Sequence, residues 1–397
     1  MRPPRLALAV LLLAGPAQAQ GLRVERTVID ANFPGGYQVE VADVNGDGKP
    51  DLVALGGGTC AWYENPSWAK RVVTGPDRTP DIISSATADL DGDGKAEIAI
   101  AYDFEMNNPR RGKLALAQQA KDLPGAWEWT PIADVPSIHR LRWGDIDGDK
   151  SLDLVVAPIF APEATPPAYA GDATVRIFNR KRRGGQTAWD ETTGPKLPVL
   201  HAIAVIDATG DDRADLLTAS NRGVFVHRMT TFPAESVREW AWRDTRATVG
   251  GLGDAPNIGS SEVHLGRLKD GRRFVATIDP WHGREVAVCL EELPRSLDFE
   301  PRTLLDDMLD AGHALWVADV DRDGDDEVFA GHRGTDARLS MYDFDGVRWE
   351  RTVLDAQITP QDLRGGDLDG DGTPEVVAIG GASKNVVVYR FRPAASR

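Results

Sequence analysis

Cysteine is nearly missing from this chain: Cys60 and Cys289 are the only two among 397 residues. That scarcity excludes a disulfide-stapled scaffold and a cysteine-rich zinc module. The two fall in different repeat units, so a bridge between them is not expected. Positive charge is also short, with 45 Lys and Arg against 61 Asp and Glu and a net charge of -16. An acid excess of that size argues against a nucleic-acid partner. Beyond the N-terminus no segment reaches 18 consecutive apolar residues, so no spanning helix is expected. A sustained helical period is missing as well. Stability must therefore come from a β-type core and from bound ions.

The N-terminus reads as a secretory signal. Arg2 and Arg5 precede the apolar stretch LALAVLLLAG, and AQA ends at Ala19. The stretch is too short to span a bilayer, and no cysteine follows it to carry a lipid anchor. Residues 1–19 are read as the signal peptide and 20–397 as one repeat domain, placed in the periplasm or outside the cell. A monomer is expected.

What the chain has in abundance is one motif. Six times it spells a variant of Asp-x-Asp-x-Asp-x-x-x-Asp/Glu before a short apolar run. The first aspartates are 46, 56, 62, 112 and 48 residues apart. Since 112 is twice 56, a seventh unit belongs near 260–280, and VHLGRLKDGRRFVATID there keeps the flanks but loses the acids. Repeats of this length signal a solenoid, propeller or array. Each unit offers four strand-like runs: one before the acidic loop (HALWVA), one directly after (EVFAGH), a third (NVVVYRFR) and a fourth led by Trp (WEWTPIADV). Four short β-runs with Gly-rich turns make a propeller blade. VERTVIDA at 24–31 nearly repeats WERTVLDA at 349–356, a fourth run. The chain ends on a third run. The N-terminal strand is therefore expected to complete the last blade and leave no open edge. The expected fold is an all-β, seven-bladed β-propeller.

The acidic loops suit a hard cation. Side chains at positions one, three, five and nine can converge, and glycines allow the tight turn. These are Asp43, Asn45, Asp47 and Asp51 in the first loop, and Asp89, Asp91, Asp93 and Glu97 in the second. Asp145, Asp147, Asp149 and Asp153 follow, then Asp207, Thr209, Asp211 and Asp215. Asp319, Asp321, Asp323 and Glu327 come next, and Asp367, Asp369, Asp371 and Glu375 are last. Oxygen ligands in that number point to calcium, at four to six structural sites. An EF-hand would want flanking helices and a Glu at position twelve, where this chain has Ala54, Ile100, Ala330 or Ala378. The loops at Asp43, Asp89 and Asp367 are complete. Those at Asp145 and Asp319 carry Lys150 and Arg322 where glycine belongs. The loop at Asp207 has Thr209 and Asp212 at important positions and should bind more weakly. The turn at 266–273 should be empty.

Histidine is scarce but periodic. His139, His201 and His313 each lie six residues before the first aspartate of a loop. That places them at the start of the innermost strand, at the channel mouth opposite the acidic loops. His282 and His332 follow the second strand of units five and six, where the chain has returned to that end. Asp279, Glu262 and Asp362 are nearby acids. One reading makes these imidazoles packing residues in phase by coincidence. The favoured reading is a shared functional mouth, holding a transition metal or serving as acid and base near neutral pH. His227 is read as structural and His264 is unassigned.

The acidic signature resembles the FG-GAP or VCBS repeat of integrin α-subunit propellers and many bacterial exported proteins. That resemblance implies structural calcium held in hairpin loops on one face. RLRWGDIDGD, GSSEVHLGRL, TIDPWHGREV and DAGHALWVADVDRDGDDEV further resemble the propeller domain of aldos-2-ulose dehydratase. This narrower likeness implies a carbon–oxygen lyase removing water from 1,5-anhydro-fructose or a related keto-sugar, with His139, His201, His282 and His313 in the chemistry. The rival, of another class, is a non-catalytic adhesion or scaffold propeller binding a protein or glycan.

Overall fold

The computed structural model describes residues 18–394, apart from 20, 121–124, 184–185, 212, 234–237, 249 and 252–256. The expected signal segment, save Gln18 and Ala19, and Asp212 lie outside the described residues. Seven antiparallel sheets form seven blades, and the described residues contain no helix. The inner strands, in order, are Gly36–Ala42, Ser84–Ala88, Ile138–Gly144, Ala202–Ile206, Glu262–Arg267, Gly312–Ala318 and Pro360–Gly366. They define blades one to seven. In the last blade the fourth strand is Leu22–Asp30, paired antiparallel with Val386–Pro393. The two-residue strand Gln18–Ala19 adds to its outer edge. The N-terminal strand thus closes the ring as the near-repeat of VERTVIDA and WERTVLDA requires. The seventh, acid-poor unit is a full blade, with Arg273–Asp279 as its second strand.

The second strand of each blade is buried on both faces, as in Asp51–Gly56, Asp153–Pro158 and Glu375–Gly380. This is why it reads as an unbroken apolar run rather than an alternating one. Third strands bring large side chains between blades. Tyr63, Tyr342 and Tyr389 are buried there, and each hydroxyl donates to an aspartate at the end of a fourth strand: Asp30 at 2.6 Å, Asp306 at 2.8 Å and Asp355 at 2.6 Å. Cys60 and Cys289 are both buried and free.

The acidic loops share one hydrogen-bond pattern. The first aspartate accepts from the backbone N–H of position four, as in Gly46 to Asp43 at 2.8 Å and Gly370 to Asp367 at 2.8 Å. The ninth-position carboxylate accepts from position two, as in Leu90 to Glu97 at 2.8 Å and Val320 to Glu327 at 2.8 Å. This arrangement demands left-handed backbone at positions four and six. Gly148 has φ 75°, and Lys150 has φ 69° where four of the other loops have Gly48, Gly94, Gly324 or Gly372. A Cβ there is strained.

Lys150→Gly should therefore stabilise the fold by about 0.5–1 kcal/mol, the relieved strain exceeding the added freedom of the unfolded chain. Gly148→Ala should cost about 1–2 kcal/mol. Urea unfolding of the two variants checks both signs; a destabilised Lys150→Gly would contradict the strain argument.

Candidate functional site

Four inner strands begin with a β-bulge. The pairing skips Tyr37 between Gly36 and Gln38, His139 between Ile138 and Arg140, His313 between Gly312 and Ala314, and Gln361 between Pro360 and Asp362. A bulge re-aims the side chain of its extra residue. His201 occupies the matching place before Ala202, its N–H donating to the Ala219 carbonyl at 3.0 Å. Sequence reading found the three histidines at this address but missed Tyr37 and Gln361. Both also lie six residues before a loop aspartate, so the same spacing rule would have found them.

The imidazoles are tied blade to blade. Nδ1 of His139 lies 3.1 Å from the His201 carbonyl, Nδ1 of His201 lies 2.8 Å from the Ser261 carbonyl, and Nδ1 of His313 lies 2.6 Å from the Gln361 carbonyl. A carbonyl can only accept, so each Nδ1 carries the proton and each Nε2 presents a lone pair. His282 arrives from the turn after the second strand of blade five, with φ 49°. Its Nε2 is 3.0 Å from Nε2 of His201. Ring nitrogens of His201, His282 and His313 all lie within 4.8 Å of one another. Nε2 of His313 is buried with no partner. Burial is the main cause holding all three imidazoles well below their ordinary pKa, and their neighbours Arg140 and Arg333 add to it. Three neutral imidazoles converging with an orphaned lone pair fit a transition metal of the zinc type.

His139 is differently engaged. Arg140 Nη1 donates to its Nε2 at 3.1 Å, and the Tyr37 hydroxyl is 3.0 Å from the same atom. It therefore stands beside the triad, rings 4.9 Å from His201, rather than in it. Arg140 pairs with Glu262 at 3.6 Å, and Glu262 Oε1 is 3.0 Å from His201 Nδ1. Arg333 donates to Gln361 at 2.8 Å and reaches His282 at 3.4 Å. Phe104, Phe160, Tyr169 and Trp281 form an aromatic wall beside the mouth, Phe104 lying 5.8 Å from the His139 ring.

Not every expected residue converges. His332 ends the second strand of blade six and accepts from the Asp310 N–H at 3.2 Å, apart from the other imidazoles. The strand's last residue faces the connection between blades five and six, where spacing alone implied the mouth. Asp279 is buried against Arg302 at 2.9 Å and Thr277, away from the triad. Asp362 lies deeper in the channel, paired with Arg364 at 2.9 Å. His227 is buried and 2.8 Å from the Thr218 hydroxyl. His264 packs edge-on against Trp316 at 4.8 Å.

Below the mouth the inner strands stack in levels. Three residues before each loop come Glu40, Ala86, Arg142, Ala204, His264, Trp316 and Arg364, one from each blade in turn. In blade five Arg267 holds the place of the loop's first aspartate.

On the opposite face, carboxylate oxygens gather within 4.8 Å at Asp89, Asp91 and Glu97, at Asp145, Asp147 and Asp153, at Asp319, Asp321 and Glu327, and at Asp367, Asp369 and Asp371. Loops 43 and 207 have Asn45 and Thr209 at position three, which offer amide and hydroxyl oxygens instead. Glu327 Oε1 is buried without a partner, and burial with Asp321, Asp343 and Asp319 nearby pushes its carboxyl up to about 10. Such an orphaned oxygen fits a hard cation. The loop at 367 differs from expectation in one respect. Arg390 reaches Asp369 and Glu375 at 2.9 Å, while Arg392 and Arg322 reach Asp371. The decayed turn supplies Lys269, whose Nζ is 2.8 Å from Asp325.

Comparison with known families gives two matches. Residues 43–100 match the FG-GAP-like repeat, and residues 111–292 match the beta-propeller domain of aldos-2-ulose dehydratase. The second span contains His139, His201 and His282. No curated protein matches the chain. Both resemblances drawn from the loop and histidine motifs are thereby supported.

The buried imidazoles should resist protonation. Their folded pKa values lie below the unfolded value of about 6.5, so they contribute stability above that pH. This contribution is lost as pH falls toward the folded pKa, by at most about 1.4 kcal/mol per unit and residue. Nitrogen-15 imidazole spectra at pH 5.5 should show His139, His201 and His313 neutral with hydrogen on Nδ1. Titration of all three near 6.5 would contradict the site geometry.

Proposed function

We propose that this propeller is exported, stiffened by calcium in its acidic loops, and that it binds a keto-sugar at the histidine mouth and removes water from it. The observation that carries this reading is the triad of His201, His282 and His313, three imidazoles converging beside His139 in a domain matched to a dehydratase propeller. Convergent polar groups in a lined mouth favour chemistry over adhesion.

His201, His282 and His313 would hold a divalent transition metal. When bound, it would supply Lewis-acid stabilisation of negative charge developing on the sugar carbonyl oxygen. This chain's own groups supply the rest. Loss of water needs a base for the proton α to the carbonyl and an acid for the departing hydroxyl. His139, neutral and fixed by the His201 carbonyl, would exchange a proton at Nε2 once substrate displaces the Arg140 and Tyr37 contacts from that atom. Arg140 and Arg333 flank the triad as fixed donors toward a developing oxyanion. The aromatic wall of Phe104, Phe160, Tyr169 and Trp281 offers apolar faces to the sugar ring and restricts water.

On the other face, Asp89, Asp145, Asp319 and Asp367 with their loop partners would hold calcium. Each bound ion stabilises the native state by about 2.7 kcal/mol at a hundredfold excess over its dissociation constant.

Purified protein incubated with 1,5-anhydro-fructose and other keto-sugars, with zinc or manganese added, should develop enone absorbance in the ultraviolet. His313→Ala should lower the rate at least about 100-fold. Absence of enone under every metal condition would remove the lyase reading and leave a binding propeller. Separately, chelation should lower the melting temperature and calcium should restore it. An unchanged melting curve would refute structural calcium.

A further inference from the structure

A cleft of about 600 Å³ opens on the mouth face, between the turn at 280–284 and the blade connection at 308–311. No step of the proposed reaction uses it. His282 is common to both places: it lines the cleft, and its ring lies 4.8 Å from that of His201 in the triad. Trp281 lines the cleft as well, its ring 5.1 Å from His282. Phe160 and Tyr169 brace that indole from nearly perpendicular planes, each at 5.8 Å. Met308, 57 % exposed, adds a second apolar surface to the lining. Three polar side chains complete it. Arg284 donates Nε to the Asp307 carbonyl at 2.7 Å, and its Nη atoms make no hydrogen bond among the described residues. Asp310 commits Oδ2 to the Thr335 N–H at 2.7 Å. Asn257 contributes an exposed side-chain amide.

The chemistry of this lining selects its ligand. One cation and one anion leave it without net charge, His282 being held neutral by burial. A charged ligand therefore gains nothing from the cleft as a whole. A purely apolar ligand would leave Arg284, Asp310 and Asn257 without partners in the bound state. A sugar ring meets both demands: its C–H faces pack on an indole and a thioether, and its hydroxyls pair with a guanidinium fork, a carboxylate and an amide. The volume lies within the range of small-ligand pockets and exceeds what one ring requires. We propose that the cleft is a second saccharide subsite, holding a neutral ring linked to the ring processed at the triad. The substrate class is then a glycoside or short oligosaccharide carrying the keto-sugar, rather than the free monosaccharide alone. This inference rests on the sugar reading of the mouth. His282 is the hinge of the arrangement, since a ring against Trp281 lies one imidazole away from His201.

Binding is read on the full chain carrying methyl-labelled methionine and indole-labelled tryptophan. The probes are maltose, cellobiose, laminaribiose and gentiobiose, with glucose as the one-ring control. At least one disaccharide should shift the Met308 methyl and Trp281 indole signals saturably, at a concentration about tenfold lower than glucose needs. Met308→Asp and Arg284→Ala change exposed positions, so both should melt as the wild type does while weakening disaccharide binding about fivefold or more. The proposal falls if no disaccharide shifts these signals, if glucose shifts them at the same concentration, or if both variants bind like the wild type. The two signals report the cleft whether or not enone forms. A silent cleft would thus leave the lyase reading in place, and a failed enone assay would leave the disaccharide result standing.

Discussion

The ladder between Leu22–Asp30 and Val386–Pro393 is the constraint on which the rest depends. It joins the two ends of the chain and turns seven sheets into a closed ring. Closure forces the inner strands to a common axis and a common level. Side chains far apart in sequence then meet, as His139 does with His201 and His201 with His313. An open array of the same blades would leave each imidazole at a separate edge. The pairing removes the terminal strand edge and, in the same step, creates the mouth.

At that mouth, backbone irregularity is put to use. A bulge at the start of an inner strand frees one residue from the ladder and turns it inward. The carbonyl of that residue's counterpart in the next blade then fixes the tautomer of the imidazole. Each histidine is thus oriented by the neighbouring blade rather than by its own. Burial keeps the rings neutral, and Arg140 and Arg333 oppose any added positive charge. The result is a set of lone pairs held in place at a cost borne by the surrounding packing.

The opposite face has a contrary electrostatic character. There carboxylates crowd together, and the protein meets part of that charge with its own cations. Arg390, Arg392 and Arg322 do so at the last loop, and Lys269 does so beside Asp325. The blade that lost its acidic ligands has become a donor of positive charge to its neighbour. Between the two faces the channel carries arginines and acids in levels, so the molecule separates a lone-pair-rich end from an anionic end.

Periodicity made the blade count, the inner strands and the closing strand legible in the sequence, because a repeated motif in register can satisfy its backbone in only one closed arrangement. The same periodicity pointed to His139, His201 and His313, and applied without regard to residue type it would also have pointed to Tyr37 and Gln361. The sequence alone therefore determined the ring and the address of the mouth. Only the tertiary structure decided which groups occupy it. It placed His282 in the triad through a left-handed turn, left His332 on the blade connection with Asp310, and set Asp279 against Arg302. It also brought Arg142 of blade three and Arg364 of blade seven to one level of the channel. The reason is physical: spacing fixes a residue's position along a strand, whereas bulges, turns and the partners across the ring fix where its side chain points.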